Sequence, residues 1–187
     1  MAQSNEAVCD LETLDTDPTA LVLSIGFWVF SPNEVDTPSS IERDLSERSF
    51  YAVLDVSEQI AAHRTVSEST SDWWLKQSAA ARKIFTDPQQ PVVEVLKRLN
   101  RFLKEHHVEF IWGNGAAFDN AILRDLYSTF DVPYPIKYTG DMCVRTIKRL
   151  AGDMPKIPKY GTPHNALHDA IYESRVVQSA YQILRND

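Results

Sequence analysis

Asp10 and Glu12 stand two residues apart in an otherwise apolar run, Ala7-Val8-Cys9-Asp10-Leu11-Glu12. On a strand, period-two geometry puts both side chains on one face. Two carboxylates held side by side among apolar neighbours repel, and such a pair requires a cation or a proton between them. A lone Asp-x-Glu at a solvated strand end would do nothing, so other acidic residues must narrow the choice. Asp119 follows Trp112-Gly113-Asn114-Gly115-Ala116-Ala117-Phe118. An apolar strand, a glycine turn and a helix start put this carboxylate at a strand's C-terminal edge, where ligands gather in α/β sheets. Its bland alternative is a first-turn Asp that only complements the helix dipole. Asp169 lies in His164-Asn165-Ala166-Leu167-His168-Asp169-Ala170. A dipole role for Asp169 does not predict a histidine five positions earlier, on a segment stiffened by Pro163. An imidazole on a loop beside a carboxylate site is well placed to take a proton from a water. His168 is the rival base, but it adjoins Asp169 on a helix and should leave in another direction.

These residues need elements to position them. Residues 7–11 read as a short strand, and 20–30, rich in β-branched and aromatic residues, as a long central one. Residues 31–47, with prolines, serines and many charges, read as a loop, followed by a third strand at 49–54. Asp55 can cap a helix to about residue 63, and Ser71 or Asp72 another through Trp73-Trp74 to Phe85. Pro91 opens a helix with Val92, Val95, Leu96, Leu99, Phe102 and Leu103 at helical spacing. A short strand is expected at 108–112, a helix at 118–130, a strand at 137–139 and a helix at 141–151. A proline-rich loop covers 152–163, and His164 or Asn165 opens the last helix. Strands first and then helices interleaved with strands is an α/β layer arrangement.

The bulk properties agree with one soluble domain over residues 1–187, without internal repeat or linker. The formal net charge of -7 argues against a surface coated for nucleic-acid binding, although carboxylates meant for metals make a chain look acidic until the metals are counted. Two isolated cysteines, Cys9 and Cys143, form no disulfide framework and suit a reducing cytoplasm. No secretory pattern opens the chain, and the longest apolar stretch is far shorter than the roughly 20 residues of a membrane helix. A cytoplasmic protein with no membrane partner is expected. His63, His106 and His107 show no metal-ligand spacing.

Taken in order, Asp10-Leu11-Glu12-Thr13-Leu14, Asn114 through Phe118-Asp119, and His164-x4-Asp169 resemble the DEDD exonuclease superfamily, in its DEDDh branch. The run 10–17, Trp73-Trp74, Trp112-Gly113-Asn114-Gly115 and Asp141-x3-Arg145-Thr146 are similar to a group of small bacterial and phage exonucleases, including the mycobacterial exoribonuclease-like domain and phage exodeoxyribonuclease A. The resemblance covers nearly the whole chain. It implies an RNase H-like fold, an α/β mixed five-stranded sheet flanked by helices, and 3′-5′ exonuclease activity releasing nucleoside 5′-monophosphates. It further implies two divalent cations, Mg²⁺ or Mn²⁺. Asp10, Glu12 and Asp169 would bind one and Asp10 mainly the other, with Asp119 acting partly through water and His164 as general base. Thr13 and Leu14 would lie under the terminal nucleotide. Physical logic points the same way: two cations roughly 4 Å apart can hold an attacking hydroxide and stabilise the leaving 3′-oxygen, and oxygen ligands suit Mg²⁺.

The partner would be single-stranded DNA or RNA with a free 3′ end. Lys137, Arg145, Lys148, Arg149, Lys156 and Lys159, flanked by Tyr138 and Tyr160, offer local positive charge with aromatic rings. Asn114, Arg145 and Lys159 join the candidate substrate contacts, although Arg145 could instead pair with Asp141. One of Trp73 and Trp74 should be core, the other free to pack on a partner chain or a base. Relatives are often dimers, and residues 31–47 or the Trp73-Trp74 helix could supply the contact. The competing readings are a catalytically silent nucleic-acid-binding protein on the same fold and a phage factor acting on a host partner.

Overall fold

A computed structural model describes residues 5–186. Its strands are β1 (Asn5–Thr13), β2 (Val22–Phe30), β3 (Ser49–Val53), β4 (Val108–Gly113) and β5 (Asp141–Cys143). The helices are α1 (Pro38–Arg48), α2 (Val56–Ala61), α3 (Glu68–Leu75), α4 (Val92–Glu105), α5 (Asp119–Thr129), α6 (Val144–Leu150) and α7 (Ala166–Asn186), with 3₁₀ turns at Ala81–Phe85 and Tyr138–Gly140. The strands form one mixed five-stranded sheet in the order β3-β2-β1-β4-β5. The β1–β2 and β2–β3 pairs are antiparallel; β1–β4 and β4–β5 are parallel. Among the described residues no helix is long and apolar enough to cross a membrane.

Alternation along β1 sorts its side chains onto two faces. Ala7, Cys9 and Leu11 enter the core that receives Val95, Leu96 and Leu99 of α4 and Ile122, Leu123 and Leu126 of α5. Val8 enters the core shared with Ala170, Ile171 and Val177 of α7. Asp10 and Glu12 share the parity of Val8, so they face α7.

Two glycines let helices approach the sheet closely enough to bring their acidic residues in. Gly26 pairs with Asp10 across β1–β2. A Cβ at Gly26 would sit 2.2 Å from the Ala166 carbonyl carbon and 2.3 Å from the Leu167 nitrogen. The first turn of α7 thus rests on bare backbone. At Gly113, a Cβ would meet Asn120 Oδ1 at 2.3 Å and Asp119 Cβ at 2.8 Å. The Asn120 amide nitrogen donates to the Ile111 carbonyl at 3.0 Å and seats α5 on the end of β4. Because the clash at position 26 is with backbone, no rotamer change relieves it. Gly26→Ala should lower stability by about 3 kcal/mol, a fall in Tm of roughly 6–12 °C for a chain of this size. Thermal unfolding of the purified variant measures it; a Tm within 2 °C of wild type, about 1 kcal/mol at most, would show that α7 is not seated as described.

Several local expectations are corrected. Residues 31–47 are not all loop: α1 begins at Pro38 behind a Thr37 cap, with a capping box to Ser40. Only Ile41 of α1 is buried, so the apolar signal was thin. The Asp36 carboxylate accepts from Arg48 and Trp28 and ties α1 to β2. The Trp-Trp helix starts earlier, capped by Ser67 rather than Ser71 or Asp72, and ends at Leu75 before the separate turn at Ala81–Phe85. The expected strand at 137–139 is part of a 3₁₀ turn; β5 instead takes Asp141–Cys143 from the start of the expected helix. Short edge segments such as these are decided by pairing with β4, not by their own apolar pattern. Finally, β1 is the central strand, and β2 lies beside it.

Candidate active site

The elements converge on a cavity of about 570 Å³ at the end of β1, within the size range of sites that take small molecules. Asp10, Glu12, Thr13, Asn114, Asp119, Arg145, His164, Asp169 and Trp73 all line it. Strand β1, the β4–α5 turn, α3, α6, the loop before α7 and α7 itself each contribute. One ligand atom each from Glu12, His164 and Asp169 lie within 4.8 Å of one another. Asp119 Oδ1 accepts from the Leu11 backbone nitrogen at 3.3 Å, which orients it beside β1.

So many acidic groups gathered in one partly buried place disturb one another. Asp10 is pushed well above the usual carboxylate range, first by burial and then by the charges of Glu173, Glu12, Asp119 and Asp169. Burial, then Asp169 and Asp119, push Glu12 up to about 8. Asp119 is raised to about 7 by burial, against the pull of backbone N–H groups and of Arg145. Glu173 is raised to about 8 by burial and Asp119, opposed by the Asn114 side chain and Lys159. Such a cluster ionises fully only when cations enter it. The donor set fits a divalent cation: carboxylate oxygens converge with one imidazole, and Glu173 Oε2 is buried without a hydrogen-bond partner.

The two histidines differ sharply in their surroundings. His164 adopts a left-handed backbone, φ 60°, and its N–H donates to Asp169 Oδ2 at 2.7 Å. Its ring opens on the cavity, with Trp73 edge-on at 4.8 Å between centroids. His168 is turned into the preceding loop. Its Nδ1 accepts from the Thr162 backbone N–H at 2.9 Å, and its ring meets Tyr160 edge-on. Gly161, at φ 57°, leaves room for that ring; a Cβ there would stand 2.6 Å from it. The Asn165 side chain accepts the His168 N–H at 3.1 Å and caps α7.

The candidate substrate contacts divide. Arg145 lines the cavity, with its Nε 3.4 Å from Asn114 Oδ1. It does not pair with Asp141, which is held by Arg124 at 2.7 Å. Thr13 lines the cavity while its hydroxyl donates to the Asp15 carbonyl at 2.6 Å. Leu14 lies outside the cavity, in an adjoining apolar hollow with Trp74, Leu75 and Phe85. Lys159 also lies outside the lining; its ammonium reaches Asp169 at 3.4 Å and the Tyr172 ring at 4.0 Å. With Lys148 and Lys156 it borders a groove along the proline loop. Trp74 is the core tryptophan, 2% exposed, its indole N–H donating to the Thr13 carbonyl at 2.8 Å. Trp73 is 40% exposed. The residue missed by sequence reasoning is Glu173; its spacing of four from Asp169 on a helix was the signal that could have found it. Both cysteines are free thiols.

The sheet order and flanking helices, with a carboxylate cleft at the end of the central strand, belong to an α/β fold shared with two solved nucleases. The nuclease domain of 3′hExo, a DEDDh family member solved bound to rAMP, matches with a TM-score of 0.60 and 11% identity, over 99% of this chain and 94% of that one. Cell-death related nuclease 4 (CRN-4) matches with a TM-score of 0.61 and 14% identity, over 94% of this chain and 62% of that one. The Rv2179c-like 3′-5′ exoribonuclease domain matches residues 5–181, and the chain belongs to that family. It is also 28% identical over 127 residues, 64% of its length, to an exodeoxyribonuclease of Enterobacteria phage T4. That alignment spans 54% of the phage protein, so the chain covers about half of the curated relative it matches.

Proposed function

We propose that this chain is a divalent-cation-dependent 3′-5′ exonuclease, acting on single-stranded nucleic acid and releasing nucleoside 5′-monophosphates. The observation that carries the reading is the gathering of Asp10, Glu12, Asp119, Asp169 and His164 in one cavity. Asp10, Glu12 and Asp169 would hold the cations, with Asp119 assisting from its tether on Leu11. Bound Mg²⁺ or Mn²⁺, as a pair, would supply Lewis acidity at the scissile phosphate. His164 takes the proton of the attacking water, since its ring faces the cavity while the His168 Nδ1 is already engaged. Arg145 and Asn114 line the same cavity and suit a phosphate or sugar oxygen. The groove bordered by Lys148, Lys156 and Lys159 gives an acidic protein a local path for phosphates.

A 3′-labelled oligonucleotide, as matched DNA and RNA, incubated with Mg²⁺ or with EDTA, tests this reading. Release of the label as mononucleotide at the first cleavage, in Mg²⁺ alone, is expected on at least one polymer. Absence of cation-dependent cleavage on both sinks it. Trp73 offers an exposed indole face beside the cavity for a base. Trp73→Ala should raise KM for short oligonucleotides at least fivefold, since stacking contributes about 1–3 kcal/mol per base, with Tm nearly unchanged. A lowered Tm with KM unaltered would instead assign Trp73 to packing.

A further inference from the structure

Glu173 has no part in the reading so far. It lies one turn beyond Asp169 on α7, so the two side chains project from the same face of the helix, toward β1. It is only 5% exposed, and its Oε2 lacks any partner among the described residues. Burying a carboxylate oxygen unpartnered is unfavourable and persists where something else in the functional state compensates it. The surroundings identify that something. The Asn114 side chain and the Lys159 charge favour the ionised form of Glu173, while Asp119 and Asp169 act against it through their charges. A side chain that served only to fill space between α7 and the sheet would be apolar, as Ala166, Ala170 and Val177 are at neighbouring positions of the same helix.

We infer that Glu173 is a fifth carboxylate of the cation site, a positioning residue that strengthens cation binding from behind Asp10 and Asp169 and holds the Asn114 side chain in the cleft. The inference rests on the cation-dependent reading above, and it goes beyond the four carboxylates of that reading. Asn114 in turn lies against Arg145, so Glu173 links the cation site to the wall that meets substrate.

Calorimetric titration of the full chain with Mn²⁺ alone, without nucleic acid, tests this. Glu173→Gln keeps the shape and a hydrogen-bonding group while removing the charge. Its affinity for at least one Mn²⁺ should fall about 10- to 100-fold, the usual effect of removing a supporting residue behind a metal's ligands. Its Tm in EDTA should equal or exceed that of wild type, because one member of a like-charged cluster is gone. Glu173→Asp, which keeps the charge on a shorter stem, should recover part of the affinity. Wild type binding Mn²⁺ while Glu173→Gln binds it within twofold, with the same cation-induced gain in Tm, overturns the inference and leaves the exonuclease reading standing. A wild type that binds no Mn²⁺ overturns both. If Glu173→Gln fails to fold, Glu173→Met, which fills the same space without charge, decides instead: Mn²⁺ affinity lowered tenfold or more supports the inference, and affinity within twofold of wild type overturns it.

Discussion

His164→Asn should lower the single-turnover rate of hydrolysis in Mg²⁺ by about 10²–10⁴-fold, the span expected for losing a positioned general base. Asparagine is the informative replacement because position 164 sits at φ 60°. Asn tolerates that conformation better than Ala does, so the variant loses the imidazole without adding backbone strain. The backbone N–H at 164 still donates to Asp169 Oδ2, so α7 remains anchored. Mn²⁺ affinity should stay close to wild type, which separates a proton acceptor from a cation ligand. That distinction matters because the imidazole lies among Glu12 and Asp169. The matching replacement at His168 should do the reverse. Its ring accepts from Thr162 and packs on Gly161 and Tyr160. Losing it should cost about 1 kcal/mol, some 2–4 °C in Tm, with the chemical step near wild type. A dead His168 variant beside a normal His164 variant would overturn the assignment.

The second large effect concerns stability in the absence of substrate. Glu12 and Glu173 titrate near 8 and Asp119 near 7, against ordinary values of 4.5 and 3.8. Their folded values lie above their unfolded ones. The stability they contribute is therefore complete below the unfolded values and is lost as pH rises through 7 and 8. In EDTA the Tm should fall steadily from pH 5.5 to 8.5. Mg²⁺ should reverse the loss, because cations stabilise the ionised carboxylates and displace their protons. At a hundredfold excess over Kd each occupied site adds about 2.7 kcal/mol, or some 5–10 °C. The gain should be larger at pH 8 than at pH 6, where protons compete for the same oxygens. Thermal unfolding across that range with EDTA and with Mg²⁺ reads both effects. A flat EDTA curve, with no gain from Mg²⁺ at pH 8, would show that these carboxylates do not form a cation site.

The contrast between His164 and His168 shows how far the chain could be read without its fold. Spacing and the stiffening Pro163 singled out His164, but only the loop between Gly152 and Pro163 decided where His168 points. Lys159 and Leu14 make the opposite case. Both were expected at the substrate, and the fold places one against Asp169 and the other beyond the cleft wall.

What sequence alone determined is local. Period two on β1 put Asp10 and Glu12 on one face, the glycine turn after Trp112 put Asp119 at a strand end, and the helical register carried Asp169 inward. These follow from backbone geometry, which neighbouring residues dictate. Tertiary structure decided what depends on distance between segments remote in the chain. Bare backbone at Gly26 and Gly113 lets α7 and α5 approach β1 and β4, and that approach turns separate carboxylates into one cluster. Spacing along α7 puts Glu173 on the face of Asp169, but only the same approach brings that face against Asp10 of β1 and Asp119 at the start of α5.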